Sequence, residues 1–381
     1  MPKRGGDTTD MSAIKLVHAA DLHLDSPFEA LPAGKAAIRR REQRELLDAL
    51  ARLAASERVD LVLLSGDLLD SSSTYFETGE SLIQALRSIP AAVFIAPGNH
   101  DFYSPKSPYA RLQMPENVHI FTDRCMRCFV LPGLNTRVYG AAFTENRSGP
   151  LLQGFRAERK PGFTNILCMH GEVGVPNSPY NPITEEELER CGMDYVALGH
   201  IHKASGLRKA GETWYSWPGC PEGRGFDETG EKYVNLVELE NGECRMKQVS
   251  IAGRRYETLQ VDVTGADPLL AVHGSLPDDT VCDVYRITLT GETETAPDLR
   301  RLYANLSELF FELQLRDETR LRHGVWDFAG EDTLRGLFLR RLRIRFDAAQ
   351  TEEERVKLEQ AARWGLAALD NAEEVAQHED Q

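Results

Sequence analysis

A layered α/β fold, two packed sheets with helices outside them, is predicted for residues 13–255 of this 381-residue chain. Three observations predict it. Short apolar runs alternate with stretches of helical spacing from Ile14 onward. After residue 115 the pattern changes to a succession of short strands. Five of the apolar runs end in polar tips rich in His and Asp. The composition, 41% hydrophobic and 27% charged, is that of an ordinary globular protein, and the length calls for more than one domain.

Residues 14–19 form a buried strand, 35–55 a helix, 59–64 a second strand, 76–88 a second helix and 91–96 a third strand. Repeated βαβ units of this kind build a layered domain. Short strands follow at 118–121, 128–131, 136–141, 165–169, 195–198, 213–216 and 232–239. Around residues 254–256 the organisation shifts. The segments 258–263, 268–274, 281–289, 298–305 and 308–315 read as strand, helix, strand, helix, strand, a small separate α/β unit.

From residue 331 the chain is helical. Leu334, Phe338, Leu342 and Phe346 fall on one face, and Leu358, Ala362 and Leu366, extended by Leu369, make a second stripe. Trp364-Gly365 is a helix-weakening pair within that stripe and predicts a bend. The expected divisions are a disordered tail at 1–12, a main domain at 13–255, a cap at 256–328 and a helical region at 329–381, frayed from 373.

The formal net charge is −15, from 44 Lys and Arg against 59 Asp and Glu. That excludes a surface built wholly to wrap nucleic acid, which needs many cations on phosphates. It leaves open an enzyme that holds phosphate with metal ions and local basic arms. No apolar run reaches the roughly 18 residues of a membrane span, and the polar start lacks the apolar core of a signal peptide. Cys125 and Cys128 form a lone CxxC among seven cysteines, with no second pair for zinc. Reduced thiols in a cytoplasmic protein are the plain reading. The basic groups Arg39-Arg40-Arg41 with Arg44, and Arg340-Arg341 with Arg343 and Arg345, read as solvated helix faces.

The chemistry sits in the tips. Asp21-Leu22-His23 follows the first strand, Gly66-Asp67-Leu68-Leu69-Asp70 the second and Gly98-Asn99-His100-Asp101 the third. Met169-His170-Gly171-Glu172 and Gly199-His200-Ile201-His202 follow later strands. Five of the ten histidines lie in these segments, where α/β sheets form ligand sites. His18 and Cys168, inside strands, are expected in the core.

All five together, in this order, resemble the signatures of the calcineurin-like metallophosphoesterases. Ala19-Ala20-Asp21-Leu22-His23-Leu24-Asp25-Ser26-Pro27 and the Asp67 segment resemble the SbcD-type branch of bacterial DNA-repair exonucleases. The resemblance covers residues 14–250. It implies a four-layer α/β/β/α metallophosphoesterase sandwich, here with a small α/β cap domain and a helical C-terminal tail.

It also implies two divalent ions, roughly 3.5–4 Å apart in such centres, sharing one carboxylate. Asp67 is the natural bridge. By resemblance Asp21, His23 and His202 complete the first metal, and Asn99, His170 and His200 the second. Two dications outweigh two carboxylates and a hydroxide, which reverses the local charge of an acidic chain. Mixed nitrogen and oxygen donors suit manganese, with iron or zinc as other choices, better than calcium. His100 is implied as the group that protonates the leaving oxygen or stabilises the transition-state charge. Asp70 is expected to orient His100, and Asp101 to support the ligands through backbone or histidine hydrogen bonds. Tyr103, Lys106 and Arg111 follow the Asn99 turn and could line a substrate cleft.

The implied reaction is hydrolysis of a phosphodiester by an in-line hydroxide, with DNA as substrate in a repair exonuclease or endonuclease. The alternative is a metallophosphatase or phosphodiesterase for small-molecule or protein phosphoesters. A Ser/Thr protein phosphatase fits less well, because Ser71 stands where that branch has arginine and Asp101 where it has glutamate. A dead scaffold would have lost ligands, and none is missing. With no G-x-x-x-x-G-K-[ST] loop, the chain is not expected to hydrolyse ATP itself. The implied partners are DNA, a second copy in a homodimer, and an SMC-like ATPase of the SbcC type docking on the C-terminal helices, where a bare partner face would expose Leu358, Leu366 and Leu369, with no membrane.

Overall fold

The computed structural model describes residues 13–71, 73–321 and 325–370. The tail expected at 1–12 and the frayed end expected from 373 lie outside the described residues. The chain divides between Tyr256 and Glu257 into two units, and the expected cap and helical region both fall in the second.

The first unit begins with β1 (Ile14–Ala19), α1 (Ala33–Glu57), β2 (Leu61–Leu64), α2 (Phe76–Ser88), β3 (Ala92–Ile95), α3 (Pro108–Arg111) and β4 (Val118–Ile120). Next come β5 (Arg127–Leu131), β6 (Thr136–Gly140), β7 (Thr164–His170), β8 (Glu172–Val173), β9 (Pro182–Ile183) and α4 (Glu185–Arg190). It closes with β10 (Tyr195–Gly199), β11 (Arg208–Ala210), β12 (Thr213–Ser216), β13 (Val234–Glu240) and β14 (Glu243–Val249). These make two six-stranded sheets, ordered β14-β13-β1-β2-β3-β4 and β11-β12-β10-β7-β6-β5. β1 to β4 are parallel, as are β6, β7, β10 and β12.

The two-residue pleat sorts the side chains into three cores. Val17, Ala19, Val62 and Leu64 face α1 and α2. Leu16, Leu61, Leu63 and Phe94 face the second sheet, where they meet Val138, Ile166, Cys168 and Ala197. On that sheet's far side, Leu167, Met169, Val196 and Leu198 pack with Leu188, Cys191 and Met193. Three cores between four layers make the α/β/β/α sandwich. The fourth layer is thin: one short helix, α4, and loops. Both faces of the parallel strands are covered, which is why they read as unbroken apolar runs.

His18 is a core residue, its Nδ1 2.9 Å from the Tyr195 hydroxyl and its Nε2 3.2 Å from the Leu198 carbonyl. Arg39 departs from the solvated face expected of it. It is fully buried, donating to Glu42 at 2.6 Å and Glu222 at 2.9 Å with Phe28 against its guanidinium. A charge so placed is tolerated only because carboxylates meet it.

The second unit holds β15 (Tyr256–Asp262), α5 (Pro268–Ser275), β16 (Val284–Thr290), β17 (Glu292–Thr293) and α6 (Leu299–Leu306). It continues through β18 (Glu312–Asp317), β19 (Arg320–Leu321), α7 (Leu334–Ala348) and α8 (Glu352–Asp370). Its three-stranded sheet, β15-β16-β18, closes a core of Val261, Ile287, Leu289, Leu302 and Leu306.

The two C-terminal helices correct two expectations. α8 runs unbroken through Trp364-Gly365, because Gly365 is where the Phe338 ring packs against the helix and a Cβ would overlap it. The stripe of Leu358, Ala362 and Leu366 is buried, with Ala362 and Leu366 in a core shared with Leu339, while Leu334, the first residue of α7, is 69% exposed. No described helix is long and apolar enough to cross a membrane.

Candidate active site

All five tips lie at the carboxyl ends of parallel strands: Asp21 and His23 after β1, Asp67 after β2, Asn99 and His100 after β3. His170 is the last residue of β7, and His200 and His202 follow β10. The turns are tight. Asp21, His23, Asp67 and His200 adopt φ of 55°, 46°, 50° and 95°, a left-handed region that side chains occupy only under surrounding constraint. Gly98 is required because a Cβ there would overlap the Asp67 carboxylate. Gly66 combines a φ of 91° with a backbone pressed on the His170 ring.

Asp101 supplies part of the constraint. Its buried carboxylate accepts from the backbone N–H of Gly98 at 2.8 Å, Asp67 at 3.2 Å, Leu68 at 2.7 Å and Leu69 at 3.2 Å, and from the Tyr109 hydroxyl. One side chain thus fastens the second tip to the third.

The tips bring their donors together. Among the described residues, Asp21, His23 and His202 offer ligand atoms within 4.8 Å of one another, as do Asp67, His170 and His200. Asp67 Oδ2 stands between the halves, 3.8 Å from His23 Nε2 and 3.3 Å from His170 Nε2. The Asn99 amide oxygen lies 3.0 Å from His170 Nε2 and 3.1 Å from His200 Nδ1.

The outer nitrogens of the four rings are each engaged. His23 Nδ1 faces the Asp70 carboxylate at 3.0 Å, and His202 Nδ1 faces Glu228 at 2.6 Å. His170 Nδ1 faces the Ser65 carbonyl at 2.9 Å, and His200 Nε2 faces Glu172 at 2.8 Å. Each outer nitrogen meets an acceptor that holds its ring with the other nitrogen turned toward the centre, and Arg224 Nη2 also lies 3.2 Å from His202 Nδ1. His23 Nε2 and His202 Nε2 meet at 3.2 Å inside the centre. His170 Nε2 faces the Asp67 and Asn99 oxygens. Four imidazole nitrogens, two carboxylates and an amide oxygen, with the rings held from outside, are a donor set that fits metal ions.

The side chains by themselves carry uneven charge. Burial pushes the Asp21 carboxyl up to about 6 and lowers His23 to about 4. Burial, reinforced by His170, lowers His200 to about 4. Burial opposes charge on His170 and Asp67 alike, yet their mutual attraction wins. His170 is raised to about 9, and Asp67 is held well below the usual carboxylate range.

A model of the calcineurin-like phosphoesterases matches residues 14–204, half of the chain and all five tips. The chain belongs to that family. Its fold and its hydrolase class follow. The uncharacterized metallophosphoesterase YhaO of Bacillus subtilis (strain 168) is 30% identical over 349 residues, 84% of this chain and 82% of that protein. The DNA double-strand break repair protein Mre11 of Saccharolobus solfataricus is 27% identical over 202 residues, half of this chain and 49% of that one. The SbcD component of the nuclease SbcCD of Escherichia coli (strain K12) is 22% identical over 310 residues, covering 70% of this chain and 72% of that one.

In this phosphoesterase His100 stands at the rim, exposed, its backbone N–H donating to Asp67 Oδ1 at 2.9 Å. The expected pairing of its ring with the Asp70 carboxylate is corrected by the geometry. His100 Nδ1 meets the Asp70 main-chain carbonyl at 3.1 Å, while the carboxylate serves His23 and Arg224. The cause is a contact between two tips: Asp70 N–H donates to the Leu24 carbonyl at 2.9 Å, which binds this turn to the one bearing His23.

Four supports of these side chains are not assigned by the sequence reading. Glu172 was within reach, being the last residue of the His170 tip. Glu228 and Arg224 lie in a loop between β12 and β13 with no strand-end pattern to mark them. The Ser65 carbonyl is main chain and leaves no trace in residue types.

Proposed function

We propose that this phosphoesterase hydrolyses phosphodiester bonds of DNA at a two-metal centre loaded with manganese, as a repair nuclease. The observation that carries the reading is the convergence of nitrogen and oxygen donors on both sides of Asp67. Asp21, His23 and His202 with Asp67 would hold one ion, and Asn99, His170 and His200 with Asp67 the other. Bound there, two divalent ions supply Lewis-acid charge to the phosphoryl group and to the attacking water.

The chain supplies the rest. His100, held through Nδ1 on the Asp70 carbonyl, presents its ring at the open rim, where it can give a proton to the leaving oxygen. Asp101 and the four outer acceptors keep the donors in place. The likeness to Mre11 and to the SbcD component of SbcCD supports DNA as the polymer; the name of YhaO adds no substrate. The seven cysteines, with no disulfide among the described residues, support a reducing, cytoplasmic setting.

The test is a panel of linear duplex DNA, single-stranded DNA, RNA, cyclic nucleotides and a phosphopeptide, each with Mn²⁺. Metal-dependent cleavage of DNA with the phosphopeptide intact is expected. Cleavage of the phosphopeptide or cyclic nucleotide with DNA intact would replace the nuclease by the phosphatase or phosphodiesterase alternative.

We also read the chain as a homodimer that works with an SMC-like ATPase of the SbcC type. The stripe expected to meet that partner is buried, so docking is assigned to the apolar residues that α7 and α8 leave exposed. Leu334, Ile344 and Trp364 are 69%, 70% and 77% exposed. Ile344→Glu with Trp364→Glu is expected to abolish co-purification with the ATPase and leave hydrolysis of a generic diester unchanged. Undiminished co-purification would remove this face as the docking site.

A further inference from the structure

Behind the first half of the centre, two carboxylates and one arginine form a closed set of contacts. The Asp70 oxygen that faces His23 Nδ1 also accepts from Arg224 Nη1 at 3.2 Å. The Glu228 oxygen that faces His202 Nδ1 also accepts from Arg224 Nη2 at 2.9 Å, and that same Nη2 lies 3.2 Å from His202 Nδ1. The other Glu228 oxygen accepts from the Arg224 backbone N–H at 2.8 Å and from Nε at 3.3 Å. One guanidinium therefore joins the supports of two ligand histidines that lie 179 residues apart in the chain.

The second half is built differently. His200 is supported by Glu172 and His170 by the Ser65 carbonyl, with no guanidinium joining the two among the described residues.

The loop that presents Arg224 is itself anchored. The fully buried Arg39 of α1 donates to Glu222 at 2.9 Å and to the Gly223 carbonyl at 3.2 Å. One turn further along the same helix, Gln43 Nε2 donates to the His23 carbonyl at 3.0 Å. Both arms of the contact set thus start from one rigid helix.

We propose that Arg224 is a positioning residue that holds His23 and His202 as one unit, and so governs ion affinity in the first half of the centre alone. This rests on the two-metal reading above. The planar fork matters more than the charge: only a guanidinium reaches both carboxylates at once, whereas a lysine is a point charge that can satisfy one. Arg224→Lys keeps the positive charge, so its Coulomb effect on a bound dication stays nearly constant and the loss reports geometry.

The experiment is a titration of the full metal-free chain with Mn²⁺ alone, following free Mn²⁺ by electron paramagnetic resonance. The native chain is expected to bind two ions. Arg224→Lys is expected to weaken one of them about 10- to 100-fold, with the other changed by less than about twofold. Glu172→Gln is expected to weaken the other ion, and the double variant both. Asp70→Asn severs one arm while Arg224 remains; it is expected to weaken the same ion as Arg224→Lys and gives the answer if that variant does not fold. Native affinities in both Arg224→Lys and Asp70→Asn, or an equal weakening of both ions, would overturn the proposal. A native chain that binds fewer than two ions would overturn the two-metal reading itself, a separate result.

Discussion

Asp67→Ala is expected to abolish metal-dependent hydrolysis of bis-p-nitrophenyl phosphate, a loss of roughly 10³-fold or more. Its Oδ2 faces both halves, 3.8 Å from His23 Nε2 and 3.3 Å from His170 Nε2. Removing it takes a donor from each half and leaves the buried His170 without its counter-charge. Lewis-acid stabilisation of a phosphoryl transition state is worth several kcal/mol, and each ~1.4 kcal/mol is about tenfold in rate. The measurement pairs turnover at saturating Mn²⁺ with metal content, on protein shown to be folded by circular dichroism. Full activity with unchanged metal content would sink the ligand assignment. His170→Ala is expected to act in the same direction, through the second half only.

His100→Ala separates chemistry from metal binding. The ring is exposed and its Nδ1 is engaged by the Asp70 carbonyl, so both ions should be retained while turnover falls about 10²–10⁴-fold. A p-nitrophenolate leaves without needing a proton, so the loss on DNA should exceed the loss on the p-nitrophenyl ester. Equal losses would argue for stabilisation of charge instead of proton donation. Loss of metal would move His100 into the ligand set, where His23 and Asp67 already offer atoms within 4.8 Å. Because the Asp70 contact is main chain, Asp70→Asn should leave the His100 ring in place and act instead through His23.

The place of the tip residues was legible in the sequence because their backbone determines it. A buried parallel strand announces itself as an apolar run, and the residue just past it is delivered to the carboxyl edge of the sheet. Asp21, Asp67, Asn99, His170 and His200 could therefore be put at that edge from local pattern, whereas their proposed role as ligands came from the family resemblance. The strands and helices of the second unit were legible for the same reason, since period and turn chemistry are local properties.

What is held behind those residues was decided only by the tertiary structure. Whether Asp70 serves His100 or His23 depends on a hydrogen bond to Leu24, 46 residues earlier, that no local pattern specifies. Arg39 reads as one of a run of solvated arginines until the loop at Glu222 closes over it. Gly365 reads as a helix breaker until the Phe338 ring is laid against it. Spacing along the chain determined which side chains reach the strand edge. Contacts between segments far apart in the chain decided which nitrogen of each histidine is held from outside, and hence which nitrogens converge on the centre. A strand end is a local feature, whereas a hydrogen-bond partner exists only once two distant pieces of chain are brought within about 3 Å.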